Sequence, residues 1–284
     1  MSLQDDVERV LGRSVTIGPR VHGGDIGQSF QARTAEGGLV FVKAAPGAPT
    51  GLFAAEAAGL RALAAVRDGC RVPGVLGVSE EVLVLEWVER GPGERDTSEQ
   101  LGRGLAAMHR VTREVCGFDA GDGFIGATPQ PNPDVADMVA FFRDQRLGFQ
   151  QALLRSRGRY SPRLDRGLER LRDALEDRLR VPGERPALLH GDLWGGNWMP
   201  DGNGRPILFD PAAHFGCREA DLAMTELFGG FDDRFYAAYD EAFRRAPGYE
   251  ERRDVYNLYH LLNHANLFGG GWVARAEEAV LRLV

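Results

Sequence analysis

Between Leu188 and Ala212 the chain reads LLHGDLWGGNWMPDGNGRPILFDPA. Asp192 and Asn197 are separated by four residues, and Asp210 follows after a turn-rich stretch. An acid, an amide and a later acid at this spacing form the donor set of a kinase catalytic loop and its DFG-type metal ligand. A hydroxyl attacking a γ-phosphate must be aligned and must lose a proton, which a carboxylate within hydrogen-bond reach accepts. Asp192 is the candidate base. Magnesium that bridges phosphate oxygens takes hard oxygen ligands and leaves room for the nucleotide; Asn197 and Asp210 supply them. The DGNG run Asp201–Gly204 carries turn chemistry and Ile207–Phe209 reads as a short buried strand, so a hairpin would fold the two ligands toward one site. Taken singly, Asp192 could cap a helix and Asp210 could begin a turn before Pro211. The joint pattern of HGDxxxxN, turn and FDP favours the chemical reading, with His190 given a structural role.

A nucleotide site must stand over these residues, and the N-terminal part of the chain offers one. Val15–Val21 and Gln28–Thr34 read as strands joined by a loop from His22 to Gly27, and Glu36-Gly37-Gly38 turns into a third strand, Leu39–Ala44. Lys43 ends that strand on the face of Phe41, opposite Val40 and Val42, where its ammonium could meet phosphates beneath the loop. Gly23 and Gly24 would let backbone approach phosphate closely, although the loop lacks the full GxGxxG pattern and a plain hairpin turn has the same composition. Thirteen residues beyond Lys43, Glu56 lies on the apolar face of a helical stretch from about 52 to 66, with Leu52, Leu60 and Leu63. A carboxylate there calls for a cation, and pairing with Lys43 would aim the lysine at the nucleotide; an edge position in solvent is the plainer alternative. The apolar strand Val82–Val88, followed by Gly91-Pro92-Gly93, marks a hinge whose main chain at Glu86 and Val88 would bind the adenine edge; an ordinary inner strand and loop is the alternative.

The order of these pieces resembles the fructosamine (ketosamine) kinases, relatives of the aminoglycoside and choline kinases within the protein-kinase-like fold. The resemblance covers nearly the full chain and is most specific at LLHGDLWGGN (188–197), FDPAAHFGCREADLAMTELFGGF (209–231) and NLYHLLNHANLFGGG (257–271). It implies transfer of the ATP γ-phosphate to the 3-hydroxyl of a ketoamine sugar carried on an amine, such as a glycated lysine, giving an adduct that decomposes and frees the amine. On that resemblance Asp192 is the base, Asn197 and Asp210 are magnesium ligands, Lys43 is the phosphate lysine and Glu56 its partner. Asp25 stands where some members carry a regulatory cysteine, so no disulfide switch is expected in that loop. Met138–Phe142 with Arg146-Leu147 lacks the family's tryptophan, which leaves the sugar-pocket wall open. A small-molecule phosphotransferase acting on an aminoglycoside, choline or a sugar alcohol would use the same catalytic residues and stays an alternative. A nucleotide-binding scaffold without activity would need one of the lysine, aspartate or metal ligands to be missing, and all are present.

Asp221 resembles an acid that steadies the catalytic loop and is read as structural. His260, Asn263 and His264 share a helical face. No acid completes a metal set there, so buried histidines are expected, with Asn263 and His264 as candidate sugar contacts. The loop Thr128–Pro133 is read as shaping the substrate side, with a plain connector as the commoner alternative.

These anchors imply an α+β, two-lobed architecture: residues 1–88 as a small antiparallel β lobe with one helix binding ATP, and residues 89–284 as a large, mainly helical catalytic lobe with the catalytic hairpins. At 284 residues, 43% hydrophobic and 26% charged, the chain has globular composition. A net charge of -7 argues against a nucleic-acid phosphate binder. The arginine-rich run from 155 to 180 carries an apolar stripe, Leu164, Leu168, Leu171, Leu175 and Leu179, so its charges read as a solvated face. No apolar run approaches the ~20 residues of a membrane span and the N-terminus is no signal peptide. Cys70, Cys116 and Cys217 suggest neither a disulfide framework nor a zinc site. A cytoplasmic enzyme using ATP and magnesium on a ketoamine or glycated lysine is the expectation, with no nucleic-acid or membrane partner and with oligomeric state open.

Overall fold

Alternating apolar residues dictate a central antiparallel sheet whose two faces serve different ends. The computed structural model describes residues 2–21 and 27–284. Helix α1 (Leu3–Leu11) precedes strands β1 (Val15–Val21), β2 (Gln28–Thr34) and β3 (Leu39–Ala44); helix α2 (Leu52–Ala64) then leads to β4 (Val75–Val78) and β5 (Val82–Glu86). The strand order is β1-β2-β3-β5-β4, every pairing antiparallel. One face, with Val40, Val42, Val82 and Val84, packs with Val7 of α1. On the other, Leu83 and Leu85 pack with Phe53, Leu60 and Leu63 of α2. Lys43 lies opposite Leu83 in the β3–β5 register.

The sequence reading assigned one helix to this part, and α1 is a second. It begins on a capping box in which Ser2 accepts from the Asp5 amide while the Asp5 carboxylate accepts from the Ser2 amide.

The remainder is built on helices α3 (Thr97–His109), α4 (Met138–Phe141), α5 (Phe149–Ser156), α6 (Pro162–Asp173), α7 (Leu175–Leu179), α8 (Glu219–Leu227), α9 (Asp233–Ala242), α10 (Tyr249–Phe268) and α11 (Gly271–Leu283). Hairpin β6 (Gly123–Ile125) with β7 (Thr128–Gln130), pair β8 (Ala187–Leu189) with β11 (His214–Gly216), and hairpin β9 (Trp198–Pro200) with β10 (Pro206–Leu208) complete it. The leucine stripe of α6 and α7 is buried against Val255, Leu258 and Leu262 of α10 and Val280 of α11. No helix among the described residues is long and apolar enough to cross a membrane.

Helices α3 and α9 approach closely through Gly102, where a Cβ would stand 2.3 Å from the Phe235 carbonyl oxygen. Gly102→Ala must push the helices apart and is expected to cost about 1–3 kcal/mol. Thermal melting measures it, and an unchanged Tm contradicts this packing.

One local expectation is corrected in part. Thr128–Pro133 is not loop throughout. Thr128 and Gln130 belong to β7, and the Gln130 amide donates to the Ala212 carbonyl while its oxygen accepts from the Tyr259 hydroxyl. Side-chain bonds of this kind allow polar residues to be buried in a strand too short to satisfy itself. The Met138–Leu147 stretch is helical but passes through a π-helical segment, Phe142–Gly148, between α4 and α5. There Arg146 is buried with its guanidinium on the Pro131 carbonyl and the Asn132 side chain.

Candidate active site

The loop after β8 is anchored from below. Asp221, near the start of α8, accepts from the amides of His190 (2.7 Å) and Gly191 (2.8 Å), and its carboxylate also meets His109 Nε2 at 3.2 Å. Burial alone would raise the Asp221 carboxyl, but the His109 and Gly191 bonds outweigh it and the net shift is downward. Gly191 has φ +83°, and a Cβ there would stand 2.1 Å from the Ala212 carbonyl oxygen, so only glycine admits this approach. His190 is buried, its Nε2 3.0 Å from the Phe209 carbonyl oxygen and its Nδ1 accepting from the Asp192 amide at 3.3 Å. It ties the two catalytic segments together.

Asn197 turns its Nδ2 to Asp192, donating to the main-chain carbonyl at 2.8 Å and to Oδ2 at 3.2 Å. That leaves its Oδ1 as the donor atom for a cation. In hairpin β9–β10 Leu208 pairs with Trp198, and the Phe209 amide donates to the Asn197 carbonyl at 3.1 Å, so Asp210 follows directly. Asp210 has φ +57°, a conformation that among the described residues only Asp68 shares outside glycine. Backbone held there stores strain typical of functional positions.

Lys43 joins the sheet to this hairpin. Its Nζ lies 2.6 Å from Glu56 Oε1 and 2.6 Å from Asp210 Oδ1. Burial works against the ammonium, yet the Asp210 and Glu56 carboxylates outweigh it and shift Lys43 upward. The Glu56 carboxyl is pushed up by burial, against the pull of Lys43. One amide oxygen and one carboxylate, with phosphate oxygens completing the shell, suit magnesium. Among the described residues there is no cluster of three His, Cys, Asp or Glu, the donor set of a metal held by protein alone. Asn197 Oδ1 and the second oxygen of Asp210 therefore fit an ion delivered with a nucleotide.

Beside this cluster opens a cleft of about 390 Å³, walled by Phe41, Leu85 and Val88 on the sheet side and by Met199, Ile207 and Phe209 on the hairpin side. Its size and apolar walls suit a purine base. Glu86 and Val88 both line it. The Glu86 amide donates to the Gly74 carbonyl at 2.8 Å and its carboxylate holds Arg71. The strand ends at Glu86 rather than Val88. Gly23 and Gly24 lie outside the described residues.

On the other side of Asp192 stands α10. His260 Nδ1 is 3.9 Å from Asp192 Oδ1, a proximity that periodicity on one helix could not reveal. Asn263 is not brought to the site in a ligand-facing way: it is buried, with its amide donating to the Ile125 carbonyl and its oxygen accepting from Gln150. His264 is half-buried between Phe228, Phe268 and Trp272, in an aromatic group that Trp194 joins through Phe228.

Burial lowers His190, His214 and His260 below the ordinary histidine value, the last two to about 3. Unfolded, each takes a proton near pH ~6.5. Their contribution is thus fully present above ~6.5 and is lost as pH falls, by about 1.4 kcal/mol per pH unit per histidine. Tm is expected to fall steeply between about pH 6 and 5, and a flat Tm there would contradict buried neutral imidazoles.

The fructosamine kinase family model matches residues 2–284. A Synechocystis sp. protein named "Probable ketoamine kinase" is 40% identical over 283 residues, covering 98% of this chain and 94% of its own. A chloroplastic protein-ribulosamine 3-kinase of Oryza sativa subsp. indica is 38% identical over 264 residues, covering 91% and 76%. A crystal structure from Thermobifida fusca bearing a fructosamine-3-kinase name superposes with TM-score 0.88 at 35% identity, covering 99% of both chains. A choline kinase of Streptococcus pneumoniae, at 14% identity and TM-score 0.66 with 99% and 96% covered, shares the fold, which is protein-kinase-like.

Proposed function

The chain belongs to the fructosamine kinase family, and we propose from that premise that it transfers the γ-phosphate of ATP to the 3-hydroxyl of ketosamines, free or on glycated lysine. The observation that carries this reading is the convergence of Lys43, Glu56 and Asp210 on one hydrogen-bonded centre, with Lys43 and Asp210 167 positions apart in the chain. Asn197 and Asp192 adjoin it through the β9–β10 hairpin.

Each residue then has a task. Glu56 holds Lys43 so that its ammonium meets the nucleotide phosphates. Gly23 and Gly24 are the candidates for backbone amides to the phosphates, and the main chain of Glu86 and Val88 receives the adenine. Asn197 and Asp210 hold magnesium, which supplies neutralisation of the phosphate charge when bound. Asp192 aligns the acceptor hydroxyl and takes its proton as phosphorus is attacked. The division of labour corresponds to an ATP lobe over residues 1–88 and a catalytic lobe over 89–284. The phosphorylated adduct is expected to eliminate and release the amine, a deglycation activity suited to the cytoplasm.

Release of ADP from ATP and magnesium, with ribulosyl-lysine or fructosyl-lysine as acceptor, tests the assignment against lysine, choline and an aminoglycoside. Turnover confined to the ketosamines is expected. Turnover confined to choline or the aminoglycoside overturns the acceptor, and turnover on none of them overturns the assignment as a whole.

A further inference from the structure

His260 is buried, 5% exposed, on the central helix α10, yet its ring reaches the candidate base. At 3.9 Å from Asp192 Oδ1, His260 Nδ1 is beyond hydrogen-bond range of that oxygen. An ion pair is not the explanation. Burial and the neighbouring His264 push the imidazole down to about 3, so at neutral pH it is one N–H donor and one lone pair. Arg146 opposes its protonation from the π-helical segment, and Asp221 favours it. Among the described residues no group hydrogen-bonds either ring nitrogen.

The gap between the two atoms has the dimensions of a shared hydroxyl. An oxygen about 2.8 Å from each of two atoms 3.9 Å apart sees them at roughly 90°, suitable for donating to one and accepting from the other. We propose that His260 is the second half of the acceptor site: the hydroxyl to be phosphorylated donates to Asp192 Oδ1 and accepts from His260 Nδ1–H. This rests on the reading of Asp192 as the base. In the transfer the bond from that oxygen to the γ-phosphorus forms, the bond from phosphorus to the bridging oxygen of ADP breaks, and the hydroxyl proton passes to Asp192. His260 keeps its own proton and fixes the direction of attack.

The test compares His260→Leu, His260→Asn and His260→Gln by steady-state kinetics on ribulosyl-lysine and by thermal melting. Asparagine places an amide where Nδ1 stands, glutamine where Nε2 stands. Leucine is expected to lower kcat on the ketosamine about 10- to 100-fold, the equivalent of one lost hydrogen bond to a reacting group, with the ATP KM unchanged. Asparagine should recover most of the loss and glutamine little. Full kcat in the leucine variant, or equal recovery by asparagine and glutamine, overturns the Nδ1 contact. A fall in all three that tracks Tm overturns it in favour of a packing role. Wild-type protein inactive on the ketosamine overturns the functional reading itself, whereas active wild type with an active leucine variant overturns only the role of His260.

Discussion

Asp192→Asn should lower kcat for ketosamine phosphorylation by about 10²- to 10⁴-fold, the span of a general-base contribution, with nucleotide affinity retained. The argument is local. Asp192 Oδ2 already accepts from Asn197, and its amide is held by His190, so an amide of equal size keeps the loop in place while losing the proton acceptor. The nucleotide contacts proposed for Lys43, Asp210 and the cleft beside β5 are not altered by the substitution. Equilibrium nucleotide binding together with single-turnover phosphoryl transfer separates the two effects. Full transfer in the variant would remove Asp192 from the base role, and lost nucleotide binding would show that the substitution disturbed the metal ligands instead.

Lys43→Met is expected to have the largest effect on stability, together with a large loss of activity. The ammonium lies between two carboxylates at 2.6 Å each, in side-chain surroundings where Lys43 and Glu56 are 9% and 14% exposed. Removing it leaves Glu56 and Asp210 as neighbouring, largely enclosed acids, and breaking such a pair costs up to about 3–5 kcal/mol, of which protonation of one acid relieves part. For a chain of this size that is a fall in Tm on the order of 10 °C. Activity should fall by about 10²-fold or more through loss of phosphate stabilisation. Adding Glu56→Gln should restore part of the stability and none of the activity, because it removes a stranded charge without replacing the ammonium. A double variant as unstable as the single one would show that Asp210, not Glu56, bears the penalty.

The parts of this site that were legible in the sequence are those in which a local rule and a chemical rule coincide. Lys43 could be placed because period-two alternation puts it on the face of Phe41, and Glu56 because a carboxylate on an apolar helical stripe needs a cation. The hairpin carrying Asp210 was legible from DGNG between short apolar runs. What stayed hidden depends on tertiary neighbours. Helix α1 is short and polar, and its capping box alone signalled it. Hairpin β6–β7 contains Pro129 and buries Thr128 and Gln130, so neither alternation nor hydropathy marked it. The π-helical turn that buries Arg146 has no periodic signature. The approach of His260 to Asp192, and the commitment of Asn263 to Ile125 and Gln150, follow from how α10 lies against the catalytic loop, which spacing within α10 cannot express.

Locating the transferred phosphate is the most direct test of the central claim. After incubation of the protein with ATP, magnesium and ribulosyl- or fructosyl-lysine, phosphorus and carbon NMR of the product should place the phosphate on O3 of the sugar, with free lysine accumulating as the adduct decomposes. A phosphate on another hydroxyl, or on an unglycated acceptor while the ketosamine remains intact, would contradict it.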